Sequence, residues 1–344
     1  MRAAAMTRYQ DQLSYLDVPD PVLRETADVI IEVLAAGVCG SDLHIRSGAL
    51  QDLLGAAEFP YILGHENVGR VVDIAPWVTS VSIGDSVALH PLMTCGLCPG
   101  CRSGKDTYCS RPHFPGVDQV TQGGFAQFMA TSERSCVRIP DGMDPIALVA
   151  ATDAGLTGYH AVKRALPFLE VGQRVLVVGA GGVGQFVLQS LNALASVNTT
   201  VIDLSKTRLE SALSLGAHQV LHASSPSDGS VWEGLRGQVD VVFDCVGTAQ
   251  TLSASVGVLS RGGVLSIIGG SMEEFPLTSV QATANELTIL GNYVGQHSEL
   301  VELIALMSES KVVSTYESFS LQEAETVLQR LAAGDLAGRA VLIP

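Results

Sequence analysis

The chain has 344 residues, of which 47% are hydrophobic and 16% charged, and its formal net charge is −15. This apolar content excludes intrinsic disorder, and the length predicts about two domains. The acidic balance argues against binding to nucleic acid or to an anionic membrane surface, because both require a basic surface.

The N-terminal part of the chain predicts a mostly β unit. Met1–Gln10 contains no apolar core and no cleavage-like site, so we expect no secretory signal and a cytoplasmic protein. Short apolar runs interrupted by glycine predict strands at Val29–Leu34, Val68–Ile74 and Ser86–Leu89.

After about residue 155, compact apolar runs alternate with helical stretches. Strands are predicted at Val175–Val178, Thr200–Ile202, Val239–Phe243 and Val264–Ile268. The helices predicted between them include Gly182–Ala195 and Lys206–Leu215. This alternation indicates βαβ units and a parallel sheet. The long chargeless stretch Val175–Ile202 therefore predicts a strand, a glycine turn and a helix rather than a membrane span.

The C-terminal region predicts one more helix and one more strand. Ser320 and Glu323 fit a capping box that opens a helix running through Ala333, with Gly334 ending it. The last predicted strand is Ala340–Ile343. The pattern alone leaves open whether this strand returns to the first domain.

Four of the seven cysteines form a C-x2-C-x2-C-x7-C run, namely Cys95, Cys98, Cys101 and Cys109. In a reducing cytoplasm such a cluster favours a metal over disulfides. The short gaps let neighbouring thiolates converge on one tetrahedral Zn²⁺, and the longer gap lets the chain return as the fourth ligand. An iron–sulfur cluster and four unrelated thiols are the alternatives. Four thiolates fill the coordination shell of zinc, so we predict a structural site.

A G-x-G-x-x-G motif follows the strand Val175–Val178 and opens a helix; its residues are Gly179, Gly181, Gly182, Val183 and Gly184. Asp203 follows 19 residues after the last glycine, at the end of the next predicted strand. This context predicts a dinucleotide site, with pyrophosphate at the helix N-terminus and the carboxylate on the ribose. Asp203 would repel a 2′-phosphate, which favours NAD over NADP. A glycine-rich turn within the core is the alternative.

A third, more dispersed set comprises Cys39, His65 and Asp153. A thiolate, an imidazole and a carboxylate can form a three-ligand zinc site with an open fourth position. His65 could equally be a satisfied polar residue in a turn, and Asp153 could be a helix N-cap.

Taken in order, the segment Gly64-His65-Glu66-x-x-Gly69, the four-cysteine lobe and the glycine motif resemble the zinc-dependent medium-chain alcohol dehydrogenases. The segment Thr152-Asp153-Ala154-Gly155-Leu156-Thr157 resembles in particular a bacterial branch acting on secondary and aryl alcohols. The resemblance covers essentially the whole chain and implies an α/β fold of two kinds of domain. A GroES-like β-barrel catalytic domain with the structural zinc lobe would span residues 1–155. A doubly wound parallel-sheet Rossmann domain binding NAD would span 156–290, and residues 291–344 would return to the catalytic domain.

The resemblance also implies roles around a catalytic zinc. Cys39 and His65 match its first two ligands, and Asp153 stands where the family often has a cysteine. Glu66 matches a glutamate that can approach the zinc when substrate or water leaves. Asp42 matches the carboxylate that orients the histidine ligand.

Further matched positions concern the proton and the cofactor. Ser41 would hydrogen-bond the substrate oxygen and His44 would pass its proton to solvent, whereas the alternative makes them a helix cap and a surface imidazole. Arg208 and Arg339 match cationic positions near the adenosine ribose and the pyrophosphate, although each could be a solvated arginine. Val246 and Gly269 would lie against the nicotinamide unless they belong to the core.

Motifs and resemblance together thus predict an alcohol dehydrogenase that uses NAD and two Zn²⁺ per chain. The resemblance also implies a homodimer or homotetramer. The apolar run 59–63 and the low aromatic content of 5% favour apolar alcohols. The resemblance implies that these are small or medium secondary or aryl alcohols. A polyol or amino-alcohol dehydrogenase of the same fold is one alternative. A non-catalytic NAD-binding scaffold protein is another, and it would be expected to lack Cys39, His65 or Ser41.

Overall fold

The computed structural model describes residues 1–275, 277–336 and 338–344. The chain forms two compact units: Met1–Ala154 together with Gln296–Pro344, and Gly155–Gly295. Within these described ranges no helix is both long and apolar enough to cross a bilayer.

The strands are numbered in chain order. Those of the N-terminal segment are β1 Arg2–Met6, β2 Ser14–Asp17, β3 Val29–Val38, β4 Tyr61–Ile62, β5 Glu66–Ile74, β6 Ser86–Leu89, β7 Phe128–Thr131 and β8 Cys136–Arg138. Those of the second unit are β9 Arg174–Val178, β10 Asn198–Asp203, β11 Gln219–His222, β12 Val239–Asp244, β13 Leu259–Ile267 and β14 Thr288–Gly291. The C-terminal segment adds β15 Tyr316–Ser320 and β16 Arg339–Ile343.

The α-helices are also numbered in chain order. They are α1 Gly40–Ser47, α2 Gln51–Leu54, α3 Pro99–Arg102, α4 Ala154–Ala165, α5 Gly184–Leu194, α6 Lys206–Ser214, α7 Gly229–Glu233, α8 Ala249–Val258, α9 Ser279–Ala284, α10 His297–Ser308 and α11 Ala324–Ala332.

A seven-stranded sheet dominates the first unit, in the order β15-β16-β3-β5-β6-β8 with β7 also paired to β3. A smaller sheet has the order β2-β1-β4. In β3, every residue is buried except Glu32, which is exposed, and Leu34, which is half-buried, so most of the strand is covered on both faces. The three strands predicted here are confirmed. The final strand, β16, pairs antiparallel with β3, so it does return to the first unit.

The second unit is built on a parallel sheet in the order β11-β10-β9-β12-β13-β14. Numbered within the unit, this is the order 3-2-1-4-5-6 of a doubly wound dinucleotide-binding fold. Val175–Val178 are all buried, as expected for a strand covered on both faces. The predicted strands and helices of this unit are confirmed, and the stretch 175–202 contains β9, a glycine turn, α5 and most of β10. The strand order reverses between β9 and β12, and ligands bind such folds outside the carboxyl ends of the strands.

The predicted helix ends are formed by local contacts. The backbone N–H and the hydroxyl of Ser320 both donate to Glu323 Oε2 at 2.9 Å. This confirms the capping box, which encloses a 3₁₀ turn at Leu321–Glu323 before α11 begins. Gly216 and Gly334 follow α6 and α11 with φ of 96° and 73°, a left-handed conformation that glycine adopts at no steric cost.

Candidate active site and cysteine lobe

The four-cysteine run folds into one cluster whose sulfur atoms converge. Cys98 immediately precedes α3, Cys101 lies within it, and the chain then turns so that Cys109 returns to Cys95. The Sγ–Sγ distances are 3.5 Å for Cys98–Cys101, 3.6 Å for Cys95–Cys109 and 4.0 Å for Cys95–Cys101. All four sulfurs lie within 4.8 Å of one another, so one ion could contact all of them.

Backbone N–H groups point at these sulfurs. The N–H groups of Cys95 and Arg111 donate to Cys109 Sγ at 3.4 and 3.5 Å. Backbone N–H groups of Cys101 and Ser110 lower the pKa of Cys98 to about 5. Such donors stabilise the thiolate, which is the form of cysteine that binds a metal.

A second cluster gathers Cys39, His65, Glu66 and Asp153, whose ligand atoms also lie within 4.8 Å of one another. Cys39 follows β3 and immediately precedes α1, while His65 and Glu66 stand at the start of β5. Pairing of β3 with β5 places these segments side by side, with Gly37 opposite Glu66 in the register. Asp153 comes directly before α4, which is also where a helix N-cap would lie.

The buried ring of His65 lies between two carboxylates. Its Nδ1 is 3.4 Å from Asp42 Oδ1, and its Nε2 is 3.5 Å from Asp153 Oδ2. Burial by itself lowers the pKa of His65, but the carboxylates of Asp42 and Asp153 outweigh it and the pKa lies well above its usual value. Among the described residues, His65 Nδ1 and Asp42 Oδ1 make no hydrogen bond. The negative surroundings therefore favour a positive charge at this point.

Asp42 also fixes the segment that carries Cys39. Its Oδ2 accepts a hydrogen bond from the backbone N–H of Cys39 at 2.8 Å, which closes the first turn of α1. Ser41 Oγ is 3.8 Å from Cys39 Sγ, and His44 lies one turn further along the same helix, exposed to solvent. Because residues three apart share a helix face, Ser41 and His44 lie on the same face of α1, Ser41 beside Cys39 and His44 at the surface.

The ring of Phe114 forms an apolar wall beside the cluster. It meets the ring of His65 edge to face, with centroids 5.6 Å apart and an interplanar angle of 84°. The apolar run at 59–63 does not contribute in the way the sequence suggested, since Tyr61, Ile62 and Leu63 are buried in the core of the first unit. That run therefore gives no information on the substrate.

In the second unit, the glycine motif forms a tight turn between β9 and α5. Gly179 has a φ of 87°, and a Cβ on Gly184 would collide with the Gly179 carbonyl oxygen, so both positions require glycine. Asp203 ends β10, as predicted, and is 8% exposed. Its Oδ2 accepts from the Ala180 N–H and its Oδ1 from the Ser205 N–H, both at 2.7 Å.

The remaining predicted cofactor residues lie near the same edge of the sheet, with one exception. Val246 follows β12 and is 39% exposed, and Gly269 follows β13. Arg208 is half-buried in the first turn of α6. Arg339, by contrast, belongs to β16 of the first unit, where it is buried against Glu66.

Comparison with known proteins gives matches to two family models. Residues 25–141 match the model of the alcohol dehydrogenase GroES-like domain, and residues 182–309 match that of the zinc-binding dehydrogenases. An alcohol dehydrogenase of Geobacillus stearothermophilus is 31% identical over 346 residues, 99% of each chain. The chain belongs to the zinc-dependent medium-chain alcohol dehydrogenase family.

Two solved structures of similar chains support the same assignment. An alcohol dehydrogenase from the archaeon Aeropyrum pernix is 37% identical, with a TM-score of 0.94 over the full length of both chains. An acetophenone reductase from Geotrichum candidum, solved in complex with NAD, is 26% identical with a TM-score of 0.87, covering 100% of this chain and 97% of that one. As a member of the alcohol dehydrogenase family, the protein is an oxidoreductase whose substrates are small-molecule alcohols or the corresponding carbonyl compounds.

Two features of this family member were missed by the sequence analysis. The first is the contact of Arg339 with Glu66: the guanidinium Nη2 donates to Glu66 Oε1, across 273 positions of sequence. Gly37 makes room for Glu66, because a Cβ at residue 37 would collide with that side chain. Burial raises the pKa of Glu66, and Arg339 offsets this only in part.

The second missed feature is Asp244, a fully buried carboxylate at the end of β12. An acidic residue closing an apolar run, three positions before Gly247, is the signal that could have identified it. Its contacts are described below.

Proposed function

We propose that this enzyme oxidises an alcohol to an aldehyde or ketone, and catalyses the reverse reaction, by hydride transfer to NAD at a zinc site formed by Cys39, His65 and Asp153. The observation that carries the proposal is the convergence of these ligand atoms within 4.8 Å of one another, beside an Asp42 carboxylate oxygen that makes no hydrogen bond to any described residue. Asp42 Oδ1 lies 3.4 Å from Nδ1 of His65, so Nε2, on the other side of the ring, is the atom that would bind the metal, as in a carboxylate–histidine–zinc arrangement.

The donor set fits zinc. A thiolate, an imidazole and a carboxylate give three protein ligands and leave one position for substrate, as in catalytic zinc sites. Glu66 adds a fourth possible ligand atom nearby, although its pairing with Arg339 holds one carboxylate oxygen away from that role. When bound, the zinc polarises the alcohol oxygen and lowers its pKa.

A second, structural zinc is proposed for the cysteine lobe. Sulfurs about 2.3 Å from one tetrahedral ion lie about 3.8 Å apart. The Sγ–Sγ distances of 3.5, 3.6 and 4.0 Å are close to this value. An iron–sulfur cluster would spread the sulfurs more widely, since its thiolates bind different iron atoms. With all four positions taken by protein, this site stabilises the fold and performs no chemistry.

Other residues of the chain are proposed to transfer the proton and to bind the cofactor. Ser41 orients the substrate hydroxyl and receives its proton, and His44, exposed one helical turn away, releases that proton to solvent. The glycine motif and the N-terminus of α5 accept the pyrophosphate, and Asp203 accepts the ribose hydroxyls. Arg208 is the proposed cationic contact of the adenosine ribose, and Val246 with Gly269 faces the nicotinamide. The guanidinium of Arg339 is engaged by Glu66 in the first unit.

Apolar secondary or aryl alcohols are the proposed substrates. The half-buried ring of Phe114 beside His65 supports an apolar pocket, because it offers a surface on which a hydrocarbon or aryl group can pack. The likeness to an acetophenone reductase supports the same class, since reduction of an aryl ketone yields a secondary aryl alcohol.

The test of the proposal is an absorbance assay for NADH. The zinc-loaded enzyme is mixed with NAD⁺ and a panel of primary, secondary, benzylic, polyol and amino alcohols. We expect NADH to form with apolar secondary or benzylic alcohols, and to stop forming after chelation of the labile metal. Preferential turnover of polyols or amino alcohols would contradict the substrate class. Absence of turnover across the panel by metallated enzyme would favour a scaffold protein.

Cofactor choice gives a separate prediction. Replacing Asp203 with glycine is expected to lower kcat/KM for NAD about 10- to 100-fold, because bonds to a charged acceptor are lost. The same change should narrow the preference for NAD over NADP, because a carboxylate no longer repels the 2′-phosphate of NADP. Initial rates with both cofactors measure this.

The matched control is Asp203→Asn. The amide oxygen keeps an acceptor for the Ala180 N–H and gives up the bond from the Ser205 N–H, and the charge is removed. The preference for NAD over NADP should therefore narrow while the glycine turn keeps its bond to residue 203. Equal kcat/KM for NAD and NADP in the unmodified enzyme would show that the role given to Asp203 is wrong.

A further inference from the structure

Asp244 lies at the point where the strand order of the second unit reverses. It is the last residue of β12, opposite Val178 of β9 and Ile267 of β13, and its relative exposure is 0%. Val178 leads directly into the glycine motif. The Asp244 carboxylate is therefore buried beneath the edge of the sheet where a dinucleotide would bind.

The carboxylate is held by donors of the segment that follows it. Its Oδ1 accepts from the backbone N–H groups of Val246 at 3.0 Å and Gly247 at 2.9 Å, and from Thr251 Oγ1 at 3.3 Å. Its Oδ2 accepts from Ser255 Oγ at 3.1 Å. A buried charge is tolerated only with such compensation, and here two of the four donors belong to the turn itself.

This turn, residues 245–248, is packed tightly between two other loops. On one side, a Cβ on Gly179 would lie 2.8 Å from Val246 Cγ2. On the other side, Gly247 has a φ of 76°, and a Cβ there would collide with the Gly269 carbonyl. The main-chain oxygen of Asp244 also accepts from the Gly269 N–H at 3.0 Å. Movement of the turn would therefore displace both neighbouring loops.

Two of the residues tied together in this way, Val246 and Gly269, are those proposed to face the nicotinamide. Asp244 itself is fully buried and cannot reach the cofactor. The proposed binding site for the adenosine end of NAD lies on the other side of β9, where Asp203 ends β10. A change at the turn should consequently affect one end of the dinucleotide and spare the other.

We propose that Asp244 is a positioning residue for the nicotinamide end of NAD: its carboxylate fixes the turn 245–248 in the conformation that admits the nicotinamide. The inference rests on the proposed NAD-dependent function. It differs from a purely structural role, which would stabilise the unit as a whole and would weaken binding of every nucleotide equally.

The experiment measures binding of NADH and of AMP by calorimetry to the zinc-loaded enzyme. For Asp244→Ala we expect the Kd of NADH to rise at least tenfold and that of AMP to change less than twofold. In turnover, KM for NAD should rise at least tenfold while kcat at saturating NAD changes less than threefold. Asp244→Asn, which keeps an acceptor for the two turn N–H groups, should restore NADH binding to within about threefold.

Ser255→Ala is the matched control, because it removes a bond to the same carboxylate on the side of α8 and leaves the turn N–H bonds intact. It should bind NADH as the unmodified enzyme does. If Asp244→Ala does not fold, Gly247→Ala displaces the same turn through the Gly269 carbonyl and should show the same loss confined to NADH.

The outcomes separate the two proposals. Equal weakening of NADH and AMP, or unchanged NADH binding by Asp244→Ala, would overturn the positioning role alone. Failure of the unmodified enzyme to bind either NADH or AMP would overturn the NAD-dependent function and this inference with it.

Discussion

Replacing Asp153 with asparagine is expected to remove the labile zinc and to lower kcat at least about a hundredfold. The amide keeps the size of the side chain but removes one of the negative charges that balance Zn²⁺. Replacing a residue that only supports a metal ligand lowers metal affinity or activity about 10- to 100-fold. Loss of a ligand itself should lower them at least as much. Elemental analysis and turnover with a fixed alcohol measure the two effects together.

The rival interpretation makes Asp153 the N-cap of α4, since it directly precedes Ala154. A cap is worth about 1 kcal/mol, and asparagine caps helices as well as aspartate does. A fully metallated and active Asp153→Asn variant would therefore favour the cap over the ligand. The structure brings Asp153 Oδ2 to 3.5 Å from His65 Nε2, which a cap alone does not require.

Asp153→Cys is the complementary variant. It restores the thiolate that the family often has here, so zinc should be retained at the level of the unmodified enzyme. A carboxylate donates less electron density than a thiolate, so the natural aspartate leaves the zinc a stronger Lewis acid. We therefore expect the cysteine variant to shift the pH dependence of kcat to higher pH. An unchanged pH profile would contradict this view of Asp153.

The second large effect is expected for Cys101→Ser. The unmodified enzyme should contain about two Zn²⁺ per chain, one resistant to chelators and one labile. Loss of one thiolate leaves the lobe site without a complete coordination shell, and structural zinc contributes directly to folding free energy. We expect loss of the resistant zinc and a decrease of at least about 3 kcal/mol in the free energy of unfolding. Elemental analysis and denaturant unfolding measure both.

Cys136→Ser is the matched control for the lobe. Cys136 is also buried, but its thiol donates to the Ser132 carbonyl and it lies outside both metal clusters. This variant should keep two zinc ions and lose about 1 kcal/mol or less. Iron with sulfide in the unmodified enzyme, or a single zinc, would contradict the two-zinc proposal.

The local features of the protein follow from the sequence because they depend on residues close together in the chain. Four cysteines within fifteen positions can reach one ion whatever the rest of the fold does. The glycine turn before α5 and the Ser320–Glu323 capping box are likewise closed by contacts over a few residues. The parallel sheet could be predicted too, because buried β-branched runs alternate with helices throughout the second unit.

The candidate catalytic cluster could be identified from sequence only by resemblance to a family. Cys39 and His65 meet because β3 pairs with β5, and Asp153 joins them from the start of a distant helix. Cysteine, histidine and aspartate at such separations carry no periodic or spacing signal, so residue chemistry alone left His65 and Asp153 open to ordinary structural interpretations.

Only the tertiary structure decided how the buried charges are compensated. Arg339 contacts Glu66 because β16 pairs with β3. The role proposed for Asp244 likewise depends on tertiary structure, because its carboxylate accepts hydrogen bonds from the N–H groups of a turn that is packed between two loops. The sequence by itself determined the elements and the short-range ligand sets, since these depend on local conformation and hydrophobic pattern. The partners of buried ionisable groups depend on strand order and register, and these are set by the packing of the whole chain.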